Sequence, residues 1–129
     1  LATAFGQPPV SGFFDRPVSF VCLEDNYRGG AIVSPLAGLD YLNKFWVTKE
    51  AQGEGIARDI WQALEAQSSA FFWRSRASNP FNNWYIKMCD GMQAAGDWRV
   101  FWKGLEAPEI PGAILAAANA PHDFNYDSD

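Results

Sequence analysis

Between Tyr41 and Arg76 the chain writes a strand, a glycine loop, an amphipathic helix and a second strand, and that order dictates how its middle must fold. Ile56, Ile60, Trp61 and Leu64 recur at helical spacing, with Arg58, Asp59 and Glu65 off that face, so this is a surface helix packed on a sheet. Ala70 to Arg76 alternates as a strand, Phe72, Arg74 and Arg76 pointing one way and Phe71, Trp73 and Ser75 the other. A helix that carries the chain from one strand to the next favours a parallel or near-parallel pair. In the first strand, Tyr41 to Val47, alternation sets Leu42, Lys44 and Trp46 on one face and Asn43, Phe45 and Val47 on the other, so Lys44 is not solvated by default.

The loop is Gln52-Gly53-Glu54-Gly55-Ile56-Ala57. Its small residues let backbone approach a ligand closely, and the helix start behind it offers unpaired N–H groups and a positive dipole end to an anion such as a diphosphate. By spacing it is neither a P-loop nor a dinucleotide fingerprint. On the hexapeptide alone, an ordinary tight connection accounts for it equally well.

A chain of 129 residues is one domain, and 48% hydrophobic residues, with six Trp and ten Phe, supply its core. A net charge of −5 argues against nucleic-acid and anionic-membrane partners, so an anionic ligand must be met by a few local cations. No apolar run approaches a membrane span and no signal pattern opens the chain, which reads as a soluble intracellular domain. Cys22 and Cys89 read as buried apolar fillers rather than a disulfide or a metal site. The start at Leu1 without Met suggests a piece of something longer.

Val18 to Glu24 and Ala31 to Ser34 read as an antiparallel pair across Asp25-Asn26-Tyr27-Arg28-Gly29-Gly30. Asn79-Pro80 stops the Ala70 strand, Asn82 to Cys89 forms a short helix ended by Asp90-Gly91, and Trp98 to Leu105 is the last strand. Ile114 to Asn119 follows as a short alanine-rich helix, and the acidic end, Asp123 to Asp129, reads as frayed.

The glycine loop resembles the pyrophosphate-binding motif of the Gcn5-related N-acetyltransferases, Arg/Gln-x-x-Gly-x-Gly/Ala. Further motifs narrow this: Leu42-Asn43-Lys44-Phe45-Trp46-Val47, Phe71 to Pro80, Trp84-Tyr85-Ile86-Lys87 with Asp90-Gly91, and Trp98 to Leu105. Together, from about Phe5 to Phe124, they resemble the C-terminal acetyltransferase domain of the N-acetylglutamate synthase and synthase/kinase family of arginine biosynthesis. The resemblance implies an α/β (α+β) Gcn5-related fold over residues 1–129, a mixed central sheet flanked by helices, with acetyl-CoA entering where two strands splay. The fold's first strand and helix are missing, and an amino-acid-kinase domain is expected upstream in the parent protein.

The activity implied is transfer of acetyl from acetyl-CoA to the α-amine of L-glutamate, without a metal. Carried over by position, Phe45 and Val47 offer backbone to the pantetheine arm, and Gln52, Gly53, Gly55 and Ala57 line the pyrophosphate loop. The substrate residues are Lys44, Arg74, Arg76 and Asn79, and the catalytic tyrosine is Tyr85. Chemistry favours this, because glutamate carries two carboxylates and Arg forks match them bidentately. A single strand arginine is by default a surface cation, and a tyrosine on a short helix a core residue; three cations in one region weigh against the first default. Tyr85 is suited to protonate a departing thiolate, and backbone N–H groups from Phe45 to Val47 to polarise the acetyl carbonyl. No general base is assigned, since His122 lies in the tail, Glu50 and Glu54 rim the loop, and a water chain serves equally.

The chain departs from the family pattern at Asn43, where Asp is usual, at Asn83-Trp84, where many members have Asn-Pro-Trp, and at Gln7, where some carry a basic residue. A regulatory module controlling an attached kinase, and an acetyltransferase for another small acid or amine, aspartate among them, stand as alternatives. Homodimerisation through a sheet edge or aromatic patch has no residue set to identify it. A bacterial cytoplasmic setting is expected ahead of a mitochondrial one.

Overall fold

In the computed structural model, which describes residues 18–49 and 55–120, the central crossover forms as its periodicity requires. Strands β1 (Phe20–Leu23), β2 (Gly29–Leu36) and β3 (Leu39–Val47) lead into helix α1 (Ile56–Gln67) and strand β4 (Phe71–Arg76). Helix α2 (Asn82–Met88), strands β5 (Gly91–Ala95) and β6 (Trp98–Lys103), a 3-10 turn at Ala107–Glu109 and helix α3 (Ile110–Ala118) complete the described chain. The sheet has six strands in the order β1-β2-β3-β4-β6-β5. Every neighbouring pair is antiparallel except β3 and β4, which are parallel.

Parallel pairing is confined to Asp40 with Phe71 and Tyr41 with Phe72. Beyond these positions β3 and β4 part, so two antiparallel halves share a short seam and open into a V.

One face of the sheet carries α1 and α2. Ile56, Ile60, Trp61 and Leu64 of α1 are buried there with Ala31, Val33, Leu42, Phe45, Phe71, Trp73, Tyr85 and Phe101. Full burial of side chains of this size stabilises the fold by roughly 1.5–3 kcal/mol each, which is what fixes α1 on the sheet. The other face carries α3, whose Ala113 and Ala117 pack with Tyr41, Phe72 and Val100. Alanines let this helix lie close to the strands beneath it.

The strand alternation read from the sequence holds in β4 and β6 and breaks once in β3. Ile32 pairs with Lys44 but Val33 pairs with Leu42, so Asn43 is an extra residue, a β-bulge. The bulge reverses the facing of what precedes it: Leu42 joins Phe45 and Val47 against the α1 face, not Lys44 and Trp46 as simple alternation predicts. Lys44 keeps the opposite face, beside Ile32. Other boundaries move as well. β5 was not expected, β6 ends at Lys103 rather than Leu105, and α3 starts at Ile110 rather than Ile114, with Pro111 in its first turn where a missing N–H costs nothing. Cys22 is buried as expected, whereas Cys89 lies half-buried at the end of α2, outside the helix proper.

β6 leaves the sheet at Gly104, whose φ is +79° and where a Cβ would stand 2.1 Å from the Ser69 carbonyl oxygen. Only glycine fits. The Gly104 N–H donates to Asp90 Oδ2 at 2.7 Å, joining the exit of β6 to the loop after α2.

Candidate active site

The V between β3 and β4 is where backbone groups face an opening. Thr48 N–H donates to Arg28 O at 2.7 Å, toward β2. Because the groups alternate along a strand, those of Val47 and Phe45 face the other way, toward the β4 side. These are the residues expected to offer backbone to a ligand arm.

Over the gap on the α1 side sits a cluster of rings. Phe45, 5% exposed, has its centroid 5.6 Å from Trp61, 5.8 Å from Phe81, 5.6 Å from Trp84 and 6.3 Å from Tyr85. Tyr85 is buried between Phe45, Trp73 at 5.5 Å and Phe101 at 5.4 Å. Among the described residues, Trp73 Nε1 is a buried donor with no hydrogen-bond partner. An N–H left so costs about 1–3 kcal/mol, a penalty carried here inside the ring cluster.

Helix α1 begins at Gly55, in the left-handed region at φ 78°, with the Asp59 N–H donating to Gly55 O at 3.1 Å. No described side chain caps this end, and the first N–H groups of a helix are the ones that meet an anion. Asp59 in the first turn favours the helix dipole while opposing an anion there. Ala57 is half-buried against the core. Gln52 and Gly53, with Glu50 and Glu54, lie outside the described residues, as do Gln7 and His122.

The opposite face gathers the cations. Lys44, half-buried, follows Tyr41 on β3 and precedes Trp46. Arg74, only 7% exposed, donates from Nη1 to Ala117 O at 3.0 Å, binding the last turn of α3, where the helix dipole favours positive charge. Its Cζ lies 3.8 Å from the Trp98 ring centroid, and Arg76 Cζ lies 4.2 Å from the same ring. Asn79, in the turn after β4, accepts the Phe81 N–H at Oδ1 at 2.8 Å. That bond starts α2 in register and leaves the amide NH2 as the donor end.

Lys44, Arg74 and Arg76 thus share one face of the sheet and Tyr85 lies on the other. Two contributors were not read from the sequence as site residues. Trp98 appeared only as a strand position; its contacts depend on the β4 and β6 register, which puts it opposite Arg76. Asn82 accepts from Ser75 Oγ at 2.6 Å and donates to Arg76 O at 2.9 Å, fixing α2, and with it Tyr85, against the end of β4.

Comparison with known proteins gives the family of this chain. The family model described as the N-acetyltransferase of N-acetylglutamate synthase matches residues 14–119. The chain belongs to this family. Its described fold is a mixed sheet flanked by helices and opened between two parallel strands, the architecture that the sequence resemblance implies.

Similar family members come from bacteria, animals and fungi. The chain is 33% identical over 106 residues to a Xylella fastidiosa protein named acetylglutamate kinase, covering 81% of this chain and 25% of that protein. It is 42% identical over 88 residues to the mitochondrial N-acetylglutamate synthase of Danio rerio, covering 66% and 17%. It is 29% identical over 137 residues to a mitochondrial amino-acid acetyltransferase of Laccaria bicolor, covering 82% and 24%. The chain therefore spans about a quarter or less of the length of these relatives.

Proposed function

We propose that this domain transfers the acetyl group of acetyl-CoA to the α-amine of L-glutamate, within a parent protein that also carries an acetylglutamate kinase. The single observation that carries the reading is that Lys44, Arg74 and Arg76 stand on one face of the sheet, opposite the face that carries Tyr85. A dicarboxylate acceptor needs that charge, and an otherwise acidic chain of net charge −5 supplies it at this face.

Acetyl-CoA is the second substrate and brings the thioester. The chain suits it at two described places: the start of α1, which no described side chain caps, suits the diphosphate, and the Phe45 and Val47 backbone suits the amide-bearing arm. Gln52 and Gly53 complete the loop by position.

Arg76 and Lys44 meet the carboxylates, Asn79 donates beside them, and Arg74 supports the group from its buried place. The acceptor amine attacks the acetyl carbon, a C–N bond forms, and the C–S bond breaks. Backbone N–H groups at the β3 edge polarise the carbonyl oxygen as it gains charge. Tyr85 gives its phenolic proton to the leaving thiolate and regains one from solvent, to which the amine proton passes.

Tyr85→Phe tests this assignment. It keeps the ring packing and removes the proton, so kcat falls by about 10²–10⁴ while glutamate KM holds. An unchanged kcat would reject Tyr85 as the acid. The relative named acetylglutamate kinase favours a second reading, a module that regulates the kinase; acetyl-CoA binding without turnover would select it.

A further inference from the structure

Two guanidinium groups on one strand face, at alternate positions, repel each other and are costly to hold in a single geometry. Arg74 has its own restraint, buried and bonded to Ala117 O. Arg76 is half-buried, and among the described residues it meets no carboxylate. What it does meet is Trp98, its direct cross-strand partner, whose ring centroid is 4.2 Å from its Cζ. The same ring reaches diagonally to Arg74, which pairs with Val100, at 3.8 Å.

We propose that Trp98 is the positioning residue of the acceptor site, holding the Arg76 guanidinium beside the fixed Arg74 in the orientation that receives an acceptor carboxylate. The inference rests on the acceptor reading given above. The negative face of the indole attracts both cations and offsets their mutual repulsion. It also removes rotamer freedom from a long side chain before the ligand arrives, which is the usual source of affinity from preorganisation. A carboxylate in the same place would orient Arg76 equally well but would neutralise it, and the acceptor would have to displace it. An aromatic ring leaves the charge whole. It engages the guanidinium by its face, so the in-plane donors remain for a bidentate bond.

The test is a graded series, Trp98→Tyr, Trp98→Phe and Trp98→Leu, in the full-length protein, with KM measured separately for glutamate and acetyl-CoA. Glutamate KM should rise in that order, to about ten-fold in the Leu variant, as the ring's attraction for a cation weakens and disappears. Acetyl-CoA KM should stay within about two-fold, since Trp98 is on the opposite face from the rings over the V. In an Arg76→Ala background the Trp98→Leu change should add nothing to glutamate KM, because the group it positions is gone. Should the Leu variant fail to fold, the Tyr and Phe steps and the same double variant with Phe carry the comparison. Equal glutamate KM across the series, both KM values rising together, or a full additional loss on top of Arg76→Ala would overturn the proposal. A wild-type protein with no glutamate-dependent turnover is a different result, one that removes the acceptor reading and this inference with it.

Discussion

Ser68 Oγ lies 2.7 Å from Asp40 Oδ2, joining residues 28 apart in sequence at the closed end of the V. The same hydroxyl is 2.9 Å from Ala70 O, and Ser68 is 6% exposed. Asp40 is one of the two β3 residues paired with β4, so this bond fastens the seam from which the strands diverge. Ser68→Ala removes a buried bond to a charged acceptor and should lower unfolding free energy by about 1.5–3 kcal/mol. Urea denaturation of the variant measures this directly; an unchanged midpoint would mean that the seam is held by packing alone.

Two glycines with nearly the same positive φ should respond differently to alanine. At Gly55, φ is +78° and a Cβ meets no described residue within 4 Å, whereas at Gly104, φ is +79° and a Cβ would stand 2.1 Å from Ser69 O. Gly55→Ala should therefore cost about 1 kcal/mol of backbone strain, and Gly104→Ala well over that, through displaced backbone. Thermal melts separate the two. Equal losses would show that the contact at Gly104 relaxes freely.

Much of this fold was legible because its periods are clean. The buried residues of α1 are those whose spacing announced them, and β4 keeps both faces as alternation reads them. Leu42 was placed on the wrong face because the Asn43 bulge exists only in the pairing of β2 with β3, to which a single strand's sequence is blind. β5 escaped because Gly91-Met92-Gln93-Ala94-Ala95 lacks β-branched residues and is an edge strand with three exposed central positions, held by its ladder to β6. The cations of the site could be read by type and face. That Arg74 clamps α3 could not, since it needs the helix placed over the strand.

The turn between β1 and β2 should respond to acid. Arg28 donates to both oxygens of Glu24, at 3.2 and 3.1 Å, and the Asn26 and Arg28 N–H groups add bonds to Oε1. The side-chain bond from Arg28 is the chief reason the Glu24 carboxyl titrates below its ordinary value; partial burial opposes it and the backbone bonds reinforce it. A carboxyl with a depressed folded value contributes stability that is whole above the unfolded value, about 4.3, and is lost as pH falls through the folded one. Stability measured from pH 7 down to 3 should fall less steeply in Glu24→Gln than in the wild type. Parallel curves would remove Glu24 as a source of acid sensitivity.

Arg74 and Arg76 should separate into a structural and a binding role. Arg74→Ala deletes a buried charged donor to Ala117 O, so it should cost about 1.5–3 kcal/mol of stability, in addition to any effect on kinetics. Arg76→Ala leaves that anchor intact and should raise glutamate KM ten-fold or more with a loss of stability of about 0.5–1 kcal/mol from the contact with Trp98. Paired melts and kinetics decide this; a reversed pattern would reassign the two arginines.

The most direct measurement is release of CoA thiol from acetyl-CoA by the full-length protein, run in parallel with L-glutamate, L-aspartate and no acceptor. The cation face and Tyr85 together predict release that depends on a dicarboxylate acceptor, and the proposed glutamate reading predicts that glutamate is used faster than aspartate. Binding of acetyl-CoA with no acceptor-dependent release would contradict catalysis, and release with aspartate as fast as with glutamate would contradict the acceptor assigned to Lys44, Arg76 and Asn79.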